Sequence, residues 1–252
     1  MHYTGQVYRH PIEGYTPLLE VTAGCSHNKC SFCTMYKETP FRVSSLADVE
    51  DDLIEMKKLG GDIRRIFLVN GEPFIMSTEK LVVVGELINK YFPNIETITC
   101  YASIKSLKDK SVEDLKRLKS LGYNDLHVGL ESAYDPALFQ MNKGFTSEEA
   151  YQCLGKVQDA GMRWDAIIMT GVAGKGNGEF IECTELEKIE EELLLLKLID
   201  FEECYFFGGH NYNLIPINAP LSEKNEIIEA FYDRIKNIPE YILNGVKKRA
   251  NI

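Results

Sequence analysis

A chain of 252 residues, 44% of them hydrophobic, can bury a large core, and no apolar run approaches the roughly eighteen residues that cross a bilayer. A formal charge of −10 sets the mean field against a polyanion, so nucleic acid is unsupported as a partner. The start, "MHYTGQVYRHPIEGY", lacks the apolar region and small-residue cleavage site of a secretory signal, which makes the cytoplasm the expected address.

In chain order, short β-branched or aromatic runs alternate with helical periodicity. A strand is expected over 17–23 ("PLLEVTA"), then a helix over 45–60 that stops at Gly60. A strand over 65–70 ("RIFLVN") precedes a helix over 77–92 with Ser77 as its cap, and a strand over 96–102 ("ETITCYA") precedes one over 111–122 capped by Ser111 and stopped by Gly122. A strand over 125–131 ("DLHVGLE") leads to a helix over 146–161, and one over 164–172 ("WDAIIMTGV") to the acidic run over 178–200, read as a helix with a solvated face and inward leucines. The last pair is a strand over 203–209 ("ECYFFGG") and a helix over 222–237. Six β/α units imply parallel strands with right-handed crossovers and outer helices. Six fall short of eight, so the expected α/β fold is a partial (β/α)6 TIM-like barrel, with a doubly wound sheet fitting the alternation equally well. One domain is expected over 1–252, with the barrel at about 17–221 and a short helical extension over 222–252.

In either geometry the loops after the strands carry chemistry. After the first comes "GCSHNKCSFC", with Cys25, Cys30 and Cys33; the other four cysteines stand far apart and read as buried packing thiols. Without a secretory signal, a metal site is the better reading of the cluster than disulfides. Three thiolates suit a four-iron cluster with one iron left open, while Cys3His zinc with His27 is the structural alternative. The later strand ends supply "NGEPF" (70–74), "GLESAYD" (129–135), "MTGVAGKGNGE" (169–179) and "GGHNYN" (208–213).

The cysteine loop with Phe32 before its third thiol, "NGEP" after the second strand and "GLES" at the end of the fourth resemble the radical S-adenosylmethionine (SAM) superfamily. Within it the similarity is greatest to the branch of elongator-subunit-like, methylthiotransferase-like and coproporphyrinogen-dehydrogenase-like proteins, and it runs from about Leu18 to Leu221. The resemblance implies that Cys25, Cys30 and Cys33 ligate three irons of a [4Fe-4S] cluster and that SAM chelates the fourth. It implies that Gly71 and Glu72 contact the methionyl ammonium, that Glu131 and Ser132 lie near the ribose and methionyl carboxylate, and that Phe32 lies against the adenine. "GVAG" after the fifth strand and "FFGG" at the sixth would complete the adenine pocket. This sequence departs from the family pattern twice. Four residues rather than three separate Cys25 from Cys30, and Asn70 stands where a glycine is usual. Loop lengthening is entropically cheap, and asparagine tolerates positive φ.

The activity so implied is reductive cleavage of SAM to a 5′-deoxyadenosyl radical that takes hydrogen from a small-molecule or peptide substrate, with a flavodoxin or ferredoxin as electron donor. His210 and Tyr212, with Asn211, are the expected substrate-side residues, and "MYKETPFR" after the cluster supplies Tyr36 and two cations, Lys37 and Arg42, that could meet an anionic substrate or shield the cluster. No further cysteine group follows Cys33, so an auxiliary cluster is not expected. A non-catalytic iron-sulfur or cofactor carrier of the same ancestry and a structural zinc protein are the other readings.

Overall fold

The computed structural model describes residues 1–170, 184–198, 204–208 and 213–245, which divide into two compact units, Met1–Ile168 and Met169–Ala250. In the first unit the strands are β1 (Leu18–Glu20), β2 (Thr22–Ala23), β3 (Arg42–Val43), β4 (Arg65–Val69), β5 (Thr97–Ala102), β6 (Tyr123–Glu131) and β7 (Arg163–Ile168). Its helices are α1 (Leu46–Lys58), α2 (Thr78–Tyr91), α3 (Ile104–Lys108), α4 (Val112–Ser120), α5 (Asp135–Gln140) and α6 (Ser147–Asp159). The second unit holds α7 (Glu185–Leu198), β8 (Tyr205–Phe207), β9 (Asn218–Pro220), α8 (Lys224–Lys236) and α9 (Glu240–Leu243). No described helix is long and apolar enough to cross a membrane.

The main sheet runs β1-β4-β5-β6-β7, and every pairing in it is parallel. Helices start where the sequence offers side-chain acceptors for their orphan N–H groups. Ser45, Ser77, Ser111 and Thr146 accept from the backbone at the third position beyond, and Ser111 and Thr146 form reciprocal capping boxes with Asp114 and Glu149. The core lies between the helices and one face of the sheet. Ile66, Leu68, Ile98, Cys100, Leu126 and Val128 alternate along their strands and join Leu53, Leu81, Ile88, Leu115 and Val157 in one buried cluster.

Two expectations about strands need correction. Residues 17–23 do not form one strand: after β1 the chain turns out at Val21, and β2 pairs antiparallel with β3. The strand expected over 203–209 is present as the three-residue β8, and within the second unit it pairs antiparallel with β9, a partner the sequence did not suggest; five parallel strands are seen among the described residues of the first unit. The segment "NAP" returns beside one edge of β8, which a count of β/α units does not foresee. In the second unit α7 buries Ile189, Leu193 and Leu196 against Ile215, Ile227 and Phe231, while Leu194 and Leu198 stay exposed.

The other face of the main sheet is polar at depth. Glu13, carried in by the 3-10 turn Pro11–Glu13, is fully buried and binds Arg65, which also meets Asp125; Asp125 in turn accepts from Arg163 at 2.6 Å. His127 on β6 places Nε2 3.0 Å from Glu13 and Nδ1 2.5 Å from Asp165, so both ring nitrogens face carboxylates. Burial opposes the charge of this imidazole, but the bonds to Asp165 and Glu13 outweigh it and raise the pKa to about 9. Burial likewise opposes the Glu13 carboxylate, yet Arg65 and His127 hold its pKa well below the usual range.

His10, His127 and Asp165 have ligand atoms within 4.8 Å of one another, but the two imidazoles are stacked, with centroids 4.1 Å apart and planes 10° apart. A metal ion bonds in the plane of each ring, and parallel stacked rings do not converge on one ion. The cluster is part of a partly buried ion network on this face of the sheet. His127 is raised in the folded state, so the stability it contributes is whole below about pH 6.5 and drains as the pH rises through about 9. Thermal or urea unfolding of wild type and His127→Gln should therefore converge with rising pH. Wild type should lose on the order of 2–3 kcal/mol more than the variant between about pH 6 and 10, and parallel pH profiles would show that His127 is not charged in the fold.

Candidate functional site

The loop leaving β2 carries the three cysteines, all half-buried and unpaired by disulfides. Asn28 turns through positive φ (44°), which brings its N–H to 3.4 Å from Cys25 Sγ, and the His27 N–H also points at that sulfur. Burial raises the Cys25 pKa, with those two amides working the other way; burial also raises that of Cys30, where the Lys143 cation works the other way. Donors already directed at sulfur suit a site that holds thiolates against a metal cluster.

Glu72 is 5% exposed, and its carboxylate accepts from Ser26 Oγ at 2.8 Å, inside the cysteine loop, and from Ser103 Oγ at the end of β5. The loops bearing Cys25 and Glu72 meet backbone to backbone. Gly71 (φ 65°) lies so close to the Gly24 carbonyl that a Cβ would sit 1.6 Å from its oxygen. Asn70, in the usual glycine position, adopts φ 71°, and its Nδ2 donates to the buried Glu20 at 2.6 Å. The turn therefore survives the substitution as positive-φ tolerance predicts.

Glu131 ends β6 with φ 61°, 9% exposed, and forms an ion pair with Lys143, whose ammonium also lies over the rings of Phe32 (5.8 Å) and Phe145 (5.7 Å). Despite that ion pair, Glu131 Oε2 receives no well-directed hydrogen bond; it and Asn70 Oδ1 are the buried side-chain atoms without one among the described residues. Ser132 Oγ accepts from the Tyr134 N–H at 3.1 Å. Lys143 was not foreseen from the sequence. The signal was a cation twelve residues beyond Glu131, in the turn "MNKG" that carries positive φ at Asn142 and Gly144.

The other expected residues sort clearly. Tyr36 is 8% exposed, its hydroxyl accepts from the Gly71 N–H, and burial pushes its pKa up to about 12, so it supports the second motif from within. Lys37 Nζ donates to the Asn28 and Cys30 carbonyls at 3.0 and 3.5 Å and braces the cysteine loop. Arg42 lies on β3, with Glu20 at 3.3 Å. His27 donates Nε2–H to the Asn142 carbonyl at 2.6 Å, which turns that nitrogen away from a zinc ligand's role. His210, Asn211 and Tyr212, "GVAG" and the second glycine of "FFGG" lie outside the described residues.

Cys25, Cys30, Cys33, Phe32, Gly71, Glu72 and Glu131 thus share one rim, linked through Ser26 and Lys143. The residues fit an iron-sulfur cluster with a zwitterionic cofactor on it: a sulfur with N–H donors, two buried carboxylates and a nearly buried ammonium.

The chain is 24% identical over 156 residues to the heme chaperone HemW of Bacillus subtilis (strain 168), an alignment that covers 60% of this chain and 41% of HemW. Its fold is similar to that of the cobalamin-dependent SAM radical enzyme OxsB, with a TM-score of 0.55, 20% identity and coverage of 88% of this chain and 30% of OxsB. It is also similar to coproporphyrinogen III oxidase HemN from Escherichia coli, described as a radical SAM enzyme, with a TM-score of 0.51, 16% identity and coverage of 71% and 42%. The chain spans less than half the length of each of these proteins. The sequence model of the Radical SAM superfamily matches residues 19–186, more than half the chain, and the chain therefore belongs to that superfamily.

Proposed function

We propose that the protein is a radical SAM enzyme that holds a [4Fe-4S] cluster on Cys25, Cys30 and Cys33 and binds SAM between Glu72 and Glu131. The observation that carries this reading is the linkage of the cysteine loop to Glu72 through Ser26 and to Glu131 through Lys143 with Phe32. When bound, the cluster and SAM supply one-electron cleavage of a sulfonium and a primary carbon radical that abstracts hydrogen. The chain's own residues do the rest. Glu72 offers a carboxylate to the methionyl ammonium, with Ser26 and Ser103 fixing its rotamer. Lys143 offers a cation to the methionyl carboxylate, and Phe32 a ring face to the adenine. Gly24 and Gly71 let the two loops close without an intervening side chain. A flavodoxin or ferredoxin supplies the electron, and the substrate is a small molecule or peptide.

The test is anaerobic reconstitution followed by SAM and dithionite, with 5′-deoxyadenosine read by chromatography and mass spectrometry. Wild type should form it and Cys30→Ala should not; a colourless wild type holding zinc would sink the reading. The likeness to a heme chaperone supports a second one, a cofactor carrier. A brown protein that forms no deoxyadenosine but gains a Soret band with haem would favour that carrier.

A further inference from the structure

The four residues between Cys25 and Cys30 include His27, whose ring reaches a second turn of the chain. Between α5 and α6 the chain passes through a tight turn, Met141 to Gly144, in which Asn142 (φ 55°) and Gly144 (φ 77°) both adopt left-handed backbone. The segment Gln140–Asn142 is fastened to the cysteine loop by four hydrogen bonds. Ser31 N–H donates to the Met141 carbonyl and Ser31 Oγ to the Gln140 carbonyl, each at 3.0 Å. Asn142 Nδ2 donates to the Lys29 carbonyl at 2.9 Å, and His27 Nε2–H to the Asn142 carbonyl at 2.6 Å. The His27 ring also covers Gly144, where a Cβ would come within 3.2 Å of Cε1. His27 therefore touches both residues that flank Lys143. Lys143, so held, extends over Phe32 and Phe145 to Glu131.

We propose that His27 is a positioning residue that fastens the turn around Lys143 and thereby sets the Lys143 ammonium against Glu131 beside the cluster. Asn28, through its left-handed turn, absorbs the added length so that His27 reaches outward while Cys25 and Cys30 keep their places. The His27–Asn142 bond joins a side chain to a carbonyl that no helix or strand satisfies. Its loss frees the turn on the side nearest Lys143. This inference rests on the cofactor reading for its consequence, and on the loop geometry alone for its first step.

Two readouts on reconstituted protein separate those parts. The first is the acetylation rate of Lys143, read by mass spectrometry in the absence of SAM. His27→Ala should raise it about tenfold, and His27→Gln, whose amide donates to the same carbonyl, should keep it within about threefold of wild type. The second is the SAM concentration that half-shifts the electron paramagnetic resonance spectrum of the reduced cluster. His27→Ala should raise it about tenfold at unchanged iron content, as loss of an outer-shell contact commonly does. In a Lys143→Met background the same substitution should change it less than about twofold. Unchanged Lys143 acetylation in His27→Ala overturns the proposal, and so does a full His27→Ala effect on SAM without Lys143. If wild type shows no spectral shift with SAM, the cofactor reading fails, while the acetylation result still decides whether His27 positions Lys143. If His27→Ala loses its iron on reconstitution, His27→Gln and His27→Phe carry the comparison; equal Lys143 protection in both would overturn the hydrogen bond's role.

Discussion

Gly71→Ala is expected to abolish cluster and SAM binding and to destabilise the first unit by about 4 kcal/mol or more, a loss confined to the few mechanisms that force backbone apart. A Cβ at this position would sit 1.6 Å from the Gly24 carbonyl oxygen and 2.5 Å from its carbon, atoms that belong to backbone and cannot rotate away. Gly71 also holds φ 65°, a conformation that costs an alanine about 1–2 kcal/mol before any contact is counted. Relief requires the loop of Glu72 to withdraw from the loop of Cys25. That separation breaks the Ser26–Glu72 bond and removes the Gly71 N–H from Tyr36. Thermal unfolding and iron content measure the two effects. A variant that melts with wild type and takes up full iron would show that the two loops do not approach as closely as the structure has them. Gly24→Ala should behave alike, since a Cβ there would come within 2.5 Å of the Thr39 carbonyl oxygen and within 2.9 Å of the Phe41 nitrogen.

Legibility in the sequence followed the range of the interactions. The cysteine loop, "NGEP" and "GLES" were readable because each is a short segment whose chemistry sits in its own residue types, and the β/α alternation put them at strand ends. Strand ends and caps were readable where one residue decides them, as at Ser77 and Ser111. Tertiary pairings were not. Lys143 meets a carboxylate twelve residues away in sequence and a ring on another loop, and His27 a turn more than a hundred residues away. The polar face was half readable: "DLHVGLE" alternates Asp125, His127 and Gly129 against Leu126, Val128 and Leu130, a period of two that marks one face of β6 as polar. What that face meets depends on Glu13, brought in from the N-terminal turn by Arg65. The sixth strand was placed correctly along the chain, as β8, but its antiparallel partner β9 was not foreseen, because a three-residue strand at "NAP" carries almost no hydrophobic pattern.

Glu131 and Lys143 separate stability from binding. Both side chains are about one-tenth exposed, and neither can be left charged alone without cost. Glu131→Gln strands the Lys143 ammonium, and Lys143→Met strands the Glu131 carboxylate; each is expected to destabilise the protein by about 3–5 kcal/mol, the usual penalty for removing one partner of a buried pair. The double variant leaves no buried charge uncompensated, so it should recover most of that loss, and the coupling energy in the urea-unfolding cycle should then exceed either single loss. Binding should not recover. If Glu131 and Lys143 meet the ribose and carboxylate of SAM, the restored fold offers the cofactor neither group, and affinity should stay at least a hundredfold below wild type, on the order of two lost charge-assisted hydrogen bonds. A double variant that is stable and still binds SAM as wild type does would make the pair a structural latch. A double variant as unstable as either single one would mean that the carboxylate and ammonium do not compensate each other in the fold. The cycle thus distinguishes a pair retained for the fold from a pair retained for the cofactor.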